Sequence, residues 1–193
     1  MTEEDIKKQL ENKNKEIYLN KLKLDVINNM EGLVLTIDNL FNKVTTDSLN
    51  RVLGIAESFH RKDYIEKDIK EFMTSYQELF MKLLDEKKSK IEESIAKSNA
   101  NYQEVLDKET ERIITSLDEY VKKNINNLIN TIQSYYEDEF CKERINDYFK
   151  NSFNEFLKEK IKINLKDRDR ILYNTFKESY LKYLELNKNT IGE

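Results

Sequence analysis

Proline is missing from this 193-residue chain, and glycine occurs only at Gly32, Gly54 and Gly192. Hairpins and tight loops draw on these residues to hold backbone angles that others resist. A chain so poor in them has little with which to turn a sheet. With Lys, Glu, Leu, Ile and Asn dominant, helix is expected throughout.

Cysteine and histidine are almost as scarce. A single cysteine, Cys141, leaves no intramolecular disulfide and points to a reducing compartment. A single histidine, His60, rules out metal centres and di-iron Glu-x-x-His sites that need several histidines, and its place at a predicted helix end, as a surface or capping residue, speaks against a Ser-His-Asp arrangement. No G-x-x-x-x-G-K-[ST] loop is present to cradle nucleotide phosphates. The longest nearly apolar run, "GLVLTI" at 32–37, is far short of a membrane span. The opening "MTEEDIKKQL" lacks the apolar centre of a signal peptide, so a cytoplasmic location and no membrane association are expected.

What is present is charge and helical periodicity. Charged residues make up 36% and apolar ones 38%, so each helix can bury one stripe while its other faces stay wet. Lysine outnumbers arginine 27 to 6, and asparagine and isoleucine are abundant, as codon use in an AT-rich genome would produce. Small, proline-free helical products of this composition suit a phage or mobile element, with the host cytoplasm as location.

The fold class expected is all-α: an elongated helical bundle with a coiled-coil-like antiparallel hairpin and a C-terminal aromatic helix pair. Thr2 to Asp5 reads as a capping box opening a long helix. Apolar residues at Ile6, Leu10, Ile17, Leu24 and Ile27 follow, broken by Lys13 and Asn20 where a seam wants hydrophobes. "TTDS" (45–48) is read as the end of this helix, with Asp47 capping a short connector that carries Leu49, Val52, Leu53, Ala56 and Phe59. "HRKD" (60–63) is the next joint, capped by Asp63. The cleanest seam comes next, at Ile65, Ile69, Phe72, Tyr76, Leu79 and Leu83, widened by Phe80 and Leu84. "KSNAN" (97–101) is the favoured hairpin break, followed by a helix capped by Asn101 and Glu104. "NLKD" (164–167) is read as a junction between two aromatic helices, with Asp167 or Asp169 as cap. Units of 1–60, 61–141 and 142–193 result, expected to form one structural domain.

Two surfaces are candidates for function. Ile27, Met30, Val34, Ile37, Phe41 and Val44 alternate steps of three and four, and are the expected seam for self-association into a homodimer. Lys158, Lys162, Lys166 and Arg170 recur every fourth residue in the most basic part of the chain, residues 144–193 holding 11 bases and 8 acids. Such a stripe could meet phosphates or a protein partner. However, Glu159, Asp167 and Asp169 interleave, and Phe156 and Ile161 are expected in the core. The stretch is therefore read as a helix-to-helix junction.

No catalytic, cofactor-binding or metal-binding residue is assigned, and no cofactor is expected. The function expected is a non-enzymatic protein–protein interaction protein: an adaptor, scaffold or inhibitor of a larger host complex. The alternative is a nucleic-acid-binding regulator using the basic C-terminal helices. A helical Mg-dependent nucleotide pyrophosphatase, using Asp63/Glu66, Asp68/Glu71 or Glu104/Asp107, ranks last because no two of these pairs lie close together in the way such a site needs.

Overall fold

In the computed structural model, residues 2–55, 61–97 and 101–191 are described. All regular structure among them is helical: α1 (Glu3–Ile55), α2 (Lys62–Ala96), α3 (Tyr102–Gln133), α4 (Glu139–Asp147), a π-helical stretch (Tyr148–Phe153) and α5 (Asn154–Ile191). The last three join end to end into one rod.

Pairs across the bundle fix its topology. Ser48 of α1 accepts the Tyr148 hydroxyl, Asn29 donates to the Arg168 carbonyl, and Asn14 donates to Asn187, so α1 and the C-terminal rod run antiparallel. Asp68 accepts from Tyr135 and Lys87 donates to Thr110, so α2 and α3 run antiparallel as well. Phe41 of α1 meets Tyr76 and Phe80 of α2 edge-on, at 5.4 and 6.0 Å. Tyr102 meets Phe176, at 4.9 Å between ring centres, and Asp118 meets Lys158 where α3 lies along α5. The result is an up-down-up-down ring of four helices, each packed on two neighbours.

Thr2 closes the expected capping box: its hydroxyl accepts the Asp5 amide at 3.2 Å, and its own amide donates to the Asp5 carboxylate at 3.1 Å. The break expected at 45–48 is not made. The Thr45 and Thr46 hydroxyls donate back to the Phe41 and Asn42 carbonyls, at 2.9 and 3.1 Å, so they sit as ordinary helix residues instead of capping. Thr45, Ser48 and Leu49 also face the core, and packing carries α1 on to Ile55. Ala56, Phe59 and His60 lie outside the described residues. α2 starts behind Arg61, which makes no side-chain cap, and Asp63 falls in the first turn instead of at the cap. The favoured hairpin break is present, although Asn101 reaches Glu104 through its side-chain amide without capping the α3 backbone.

The junction expected at 164–167 is also missing, and the C-terminal helix pair is one rod. Nothing there breaks a helix: Asn164 donates to the Lys160 carbonyl, Leu165 is fully buried, and Asp169 turns inward instead of capping. Ile145, Phe149, Phe153, Leu157, Ile161 and Leu165 are all buried and recur every four residues. An α-helix of 3.6 residues per turn would rotate such a stripe by about 40° per step. The wider π-helical turn at 148–153 absorbs part of that drift and keeps Phe149 and Phe153 on the inner face.

α1 has 53 residues against 35 in α2, about 80 Å against about 52 Å. Because Tyr102 at the α3 start stands level with Tyr18 and Phe176, α1 and α5 run on together past the α2–α3 turn. Phe80 is 0% exposed between α1 and α2, whereas Leu35 is 69% exposed. Phe80→Ala is expected to lower the unfolding free energy by about 3–5 kcal/mol, and Leu35→Ala to change it by no more than about 0.5 kcal/mol, both measured by urea denaturation.

Candidate functional site

The seam expected to drive self-association is closed within the chain. Met30, Ile37, Phe41 and Val44 are buried and Val34 is half-buried, while Ile27 is 37% exposed. α2 rings cover Phe41 directly. A second copy could reach this face only if the bundle opened.

α1 carries a second apolar stripe that the sequence reading merged with the first. Ile6, Leu10, Ile17, Leu24 and Leu35 are 44–69% exposed. At 100° per residue they lie about 170° around the helix from buried Leu22, Val26, Leu33 and Ile37. The signal was available: Leu22, Val26, Met30, Leu33 and Ile37 repeat at three- and four-residue steps independently of Ile6, Leu10, Ile17 and Leu24. Lys13 and Glu31 stand at the same angle at the edge of the outer stripe, Lys7 and Lys21 border one side, and Lys23 and Glu16 border the other. Lys21 also pairs with Asp25 at 2.8 Å.

Lys158, Lys162, Lys166 and Arg170 are all exposed on the uninterrupted α5. They span about 18 Å, but successive steps of about 40° wind them through about 120° around the helix. Lys158, at one end, lies 3.8 Å from Asp118 of α3. Phe156 is 38% exposed and not in the core, with the Lys160 ammonium 5.6 Å from its ring centre. Ile161 is buried as expected.

Carboxylate pairs weighed for a metal are held apart. Asp63, Glu66, Asp68 and Glu71 lie at the start of α2, whereas Glu104 and Asp107 lie at the opposite end of the α2–α3 hairpin. Glu66 pairs with Lys70 at 2.8 Å, and Asp68 accepts the Tyr135 hydroxyl at 2.6 Å, which helps push that phenol's pKa up to about 12. Among the described residues no three Asp, Glu, His or Cys side chains are grouped to hold an ion. Cys141 donates toward Asp138 at 3.6 Å, and burial together with that carboxylate raises its pKa, away from a nucleophilic thiolate.

One constellation was missed from sequence. The Lys87 ammonium, 1% exposed, donates to the Thr110 hydroxyl at 2.7 Å and to one carboxylate oxygen of Asp169; the Thr110 hydroxyl donates to the other. Three helices thus meet at one charge pair. Beside it Arg112 bridges Glu109 and Glu86, at 2.8 and 2.7 Å. Asp169 reads from sequence as a cap, and Lys87 and Thr110 do not stand out there. The signal is that Lys87, Thr110 and Asp169 each occupy a position where the apolar stripe of their helix should continue. Burial lowers the Lys87 pKa and raises that of Asp169, with each partner's charge opposing the shift. Shut off from solvent, the cluster offers no substrate a path and serves the fold.

Among the described residues no helix is long and apolar enough to cross a membrane. No protein-family model matches the chain, and no curated protein or solved structure matches it either.

Desolvation opposes the ionised form of both partners. A raised Asp169 pKa favours the fold most below the unfolded carboxylate pKa, and that benefit fades as pH rises through the folded value. A lowered Lys87 pKa costs stability at neutral pH and is relieved only as pH rises through its folded value. At neutral pH, Lys87→Met alone should therefore destabilise by about 3–5 kcal/mol by stranding the carboxylate, while Lys87→Met with Asp169→Leu should be neutral or stabilising. Chemical denaturation of both variants and of Asp169→Leu closes the double-mutant cycle.

Proposed function

We propose that this is a non-enzymatic interaction protein whose outer α1 stripe receives an amphipathic helix with acidic flanks from another protein. What carries the reading is the stripe itself: Ile6 to Leu35 runs about 44 Å along α1, whose opposite face is buried in the bundle from Leu22 onward. An exposed apolar stripe with polar borders is the seat used in helix-in-groove recognition. Its borders select the occupant. Lys7, Lys13 and Lys23, with Lys21 paired to Asp25, stand on or beside the stripe against Glu16 and Glu31, a small excess of base that favours acidic residues in the occupant over a second copy of the same stripe.

The alternative, nucleic acid on α5, draws on four exposed bases along an unbroken helix. It ranks second because those bases wind around the helix and the first is paired with Asp118.

Ile17→Glu and Leu24→Glu, both at exposed positions, test the first reading. Tagged wild-type protein from the native host is expected to retain a protein after nuclease treatment. Zero-length coupling should join acidic residues of one helix in that protein to Lys7, Lys13, Lys21 or Lys23. The double variant should melt like the wild type and lose the partner. Retention of the partner by the variant, capture of nuclease-sensitive material alone, or sedimentation as a dimer abolished by these substitutions would each overturn the assignment.

A further inference from the structure

Where α1 and α5 pass the end of the α2–α3 hairpin, four helices become two, and their inner faces part to leave a cleft of about 380 Å³. Its lining is largely aromatic: Tyr18 from α1, Tyr102 from the start of α3, and Tyr173, Phe176, Tyr180 and Tyr183 from α5. Tyr18 and Tyr183 stack with ring centres 4.7 Å apart and planes 19° from parallel, and Tyr102 closes edge-on against Phe176 at 4.9 Å. The Tyr18 and Tyr102 hydroxyls hydrogen bond to each other, and burial raises both pKa values, so these phenols stay neutral. Tyr180 packs on both Tyr18 and Tyr183, with ring centres 6.3 and 6.4 Å away, so these three rings form one cluster beside the open volume.

Size, shape and charge together narrow what could enter. The volume falls in the range, about 300–1,000 Å³, of sites that enclose small organic molecules. Several ring faces converging on one space favour a planar aromatic group. Lys15 and Lys177 are exposed at the rim, and no carboxylate is among the described lining residues. Two ammonium groups oppose the organic cations that aromatic boxes otherwise bind, and favour an anion.

We propose that this cleft binds a planar aromatic anion of mononucleotide size, its ring packed against the tyrosines that line the cleft and its charged group held between Lys15 and Lys177. The site lies between α1 and α5 and is lined by none of Ile6, Leu10, Ile17, Leu24 and Leu35, so it does not depend on the protein-binding role assigned to that stripe. Two sources share this chemistry: a free nucleotide, and a base with its phosphate within a single strand.

Calorimetric titration with adenosine 5′-monophosphate and with a short single-stranded oligoadenylate separates them, with tyrosine ring resonances followed by NMR. Saturable binding of the mononucleotide is expected, shifting the Tyr18, Tyr102 and Tyr180 rings. In the Lys15→Glu/Lys177→Glu variant, whose two positions are exposed, the affinity should fall by at least about tenfold and the melting temperature should hold. Equal affinity for both probes assigns the cleft to free nucleotides; clearly tighter binding of the oligonucleotide, lost in the same variant and in Tyr180→Leu, assigns it to a strand. Absence of saturation at millimolar mononucleotide, affinity unchanged in the double-lysine variant, or preferential binding of benzyltrimethylammonium would overturn the proposal.

Discussion

Three of the four packed helices are joined at one point by the buried contact of Lys87 with Asp169 and Thr110. Apolar stripes alone register poorly. Leu, Ile and Phe recur at three- and four-residue steps in α2, α3 and α5, so a slip of one turn, about 5.4 Å, would bury much the same area. It would also strand an ammonium and a carboxylate in the core, each without a partner, and that cost removes the alternative. The cluster thus acts on the choice among packings more than on the depth of the chosen one. At the α1–α5 contact the same role falls to Asn29 and Arg168. The Asn29 amide holds the Arg168 carbonyl, and the Arg168 guanidinium reaches Thr36 across Gly32, where any Cβ would come within 2.8 Å of it.

A fixed register has consequences at the surface. With α2 and α3 locked level with the C-terminal part of α1 and the N-terminal part of the rod that ends in α5, the long helices overrun the hairpin at the end where Tyr18, Tyr102 and Phe176 meet. That overrun opens the tyrosine cleft. Four-helix packing uses one face of α1 from Leu22 onward, and the stripe from Ile6 to Leu35 stays in water along both that part and the overrun. Both surfaces that could meet a ligand follow from the mismatch in helix length and from the pins that hold it.

Helix content, the hairpin at 97–101 and the seam from Ile65 to Leu83 were legible because each rests on local signals: missing Pro and Gly, and apolar periodicity. Three boundaries were not. Thr45–Ser48, Asp63 and Asn164–Asp167 carry residues that cap helices in some settings and sit inside them in others. Here buried neighbours such as Leu49 and Leu165 decided between the two. The candidate surfaces misled for a related reason. One face of α1 and its opposite have similar periodicity, so sequence could not say which of Ile17 or Leu22 lies inside. Lys87 and Asp169 were not recognisable as a pair because a charged residue at a core position reveals its partner only in three dimensions.

The claim that a buried charge pair selects the register is most directly tested by the amide NMR spectrum of the Lys87→Met/Asp169→Leu protein. The account predicts a stably helical chain whose α2, α3 and α5 amides broaden or double, as alternative packings become populated. A single sharp set of resonances, with inter-helix contacts matching those of the wild type, would contradict it and leave register to the apolar seams alone.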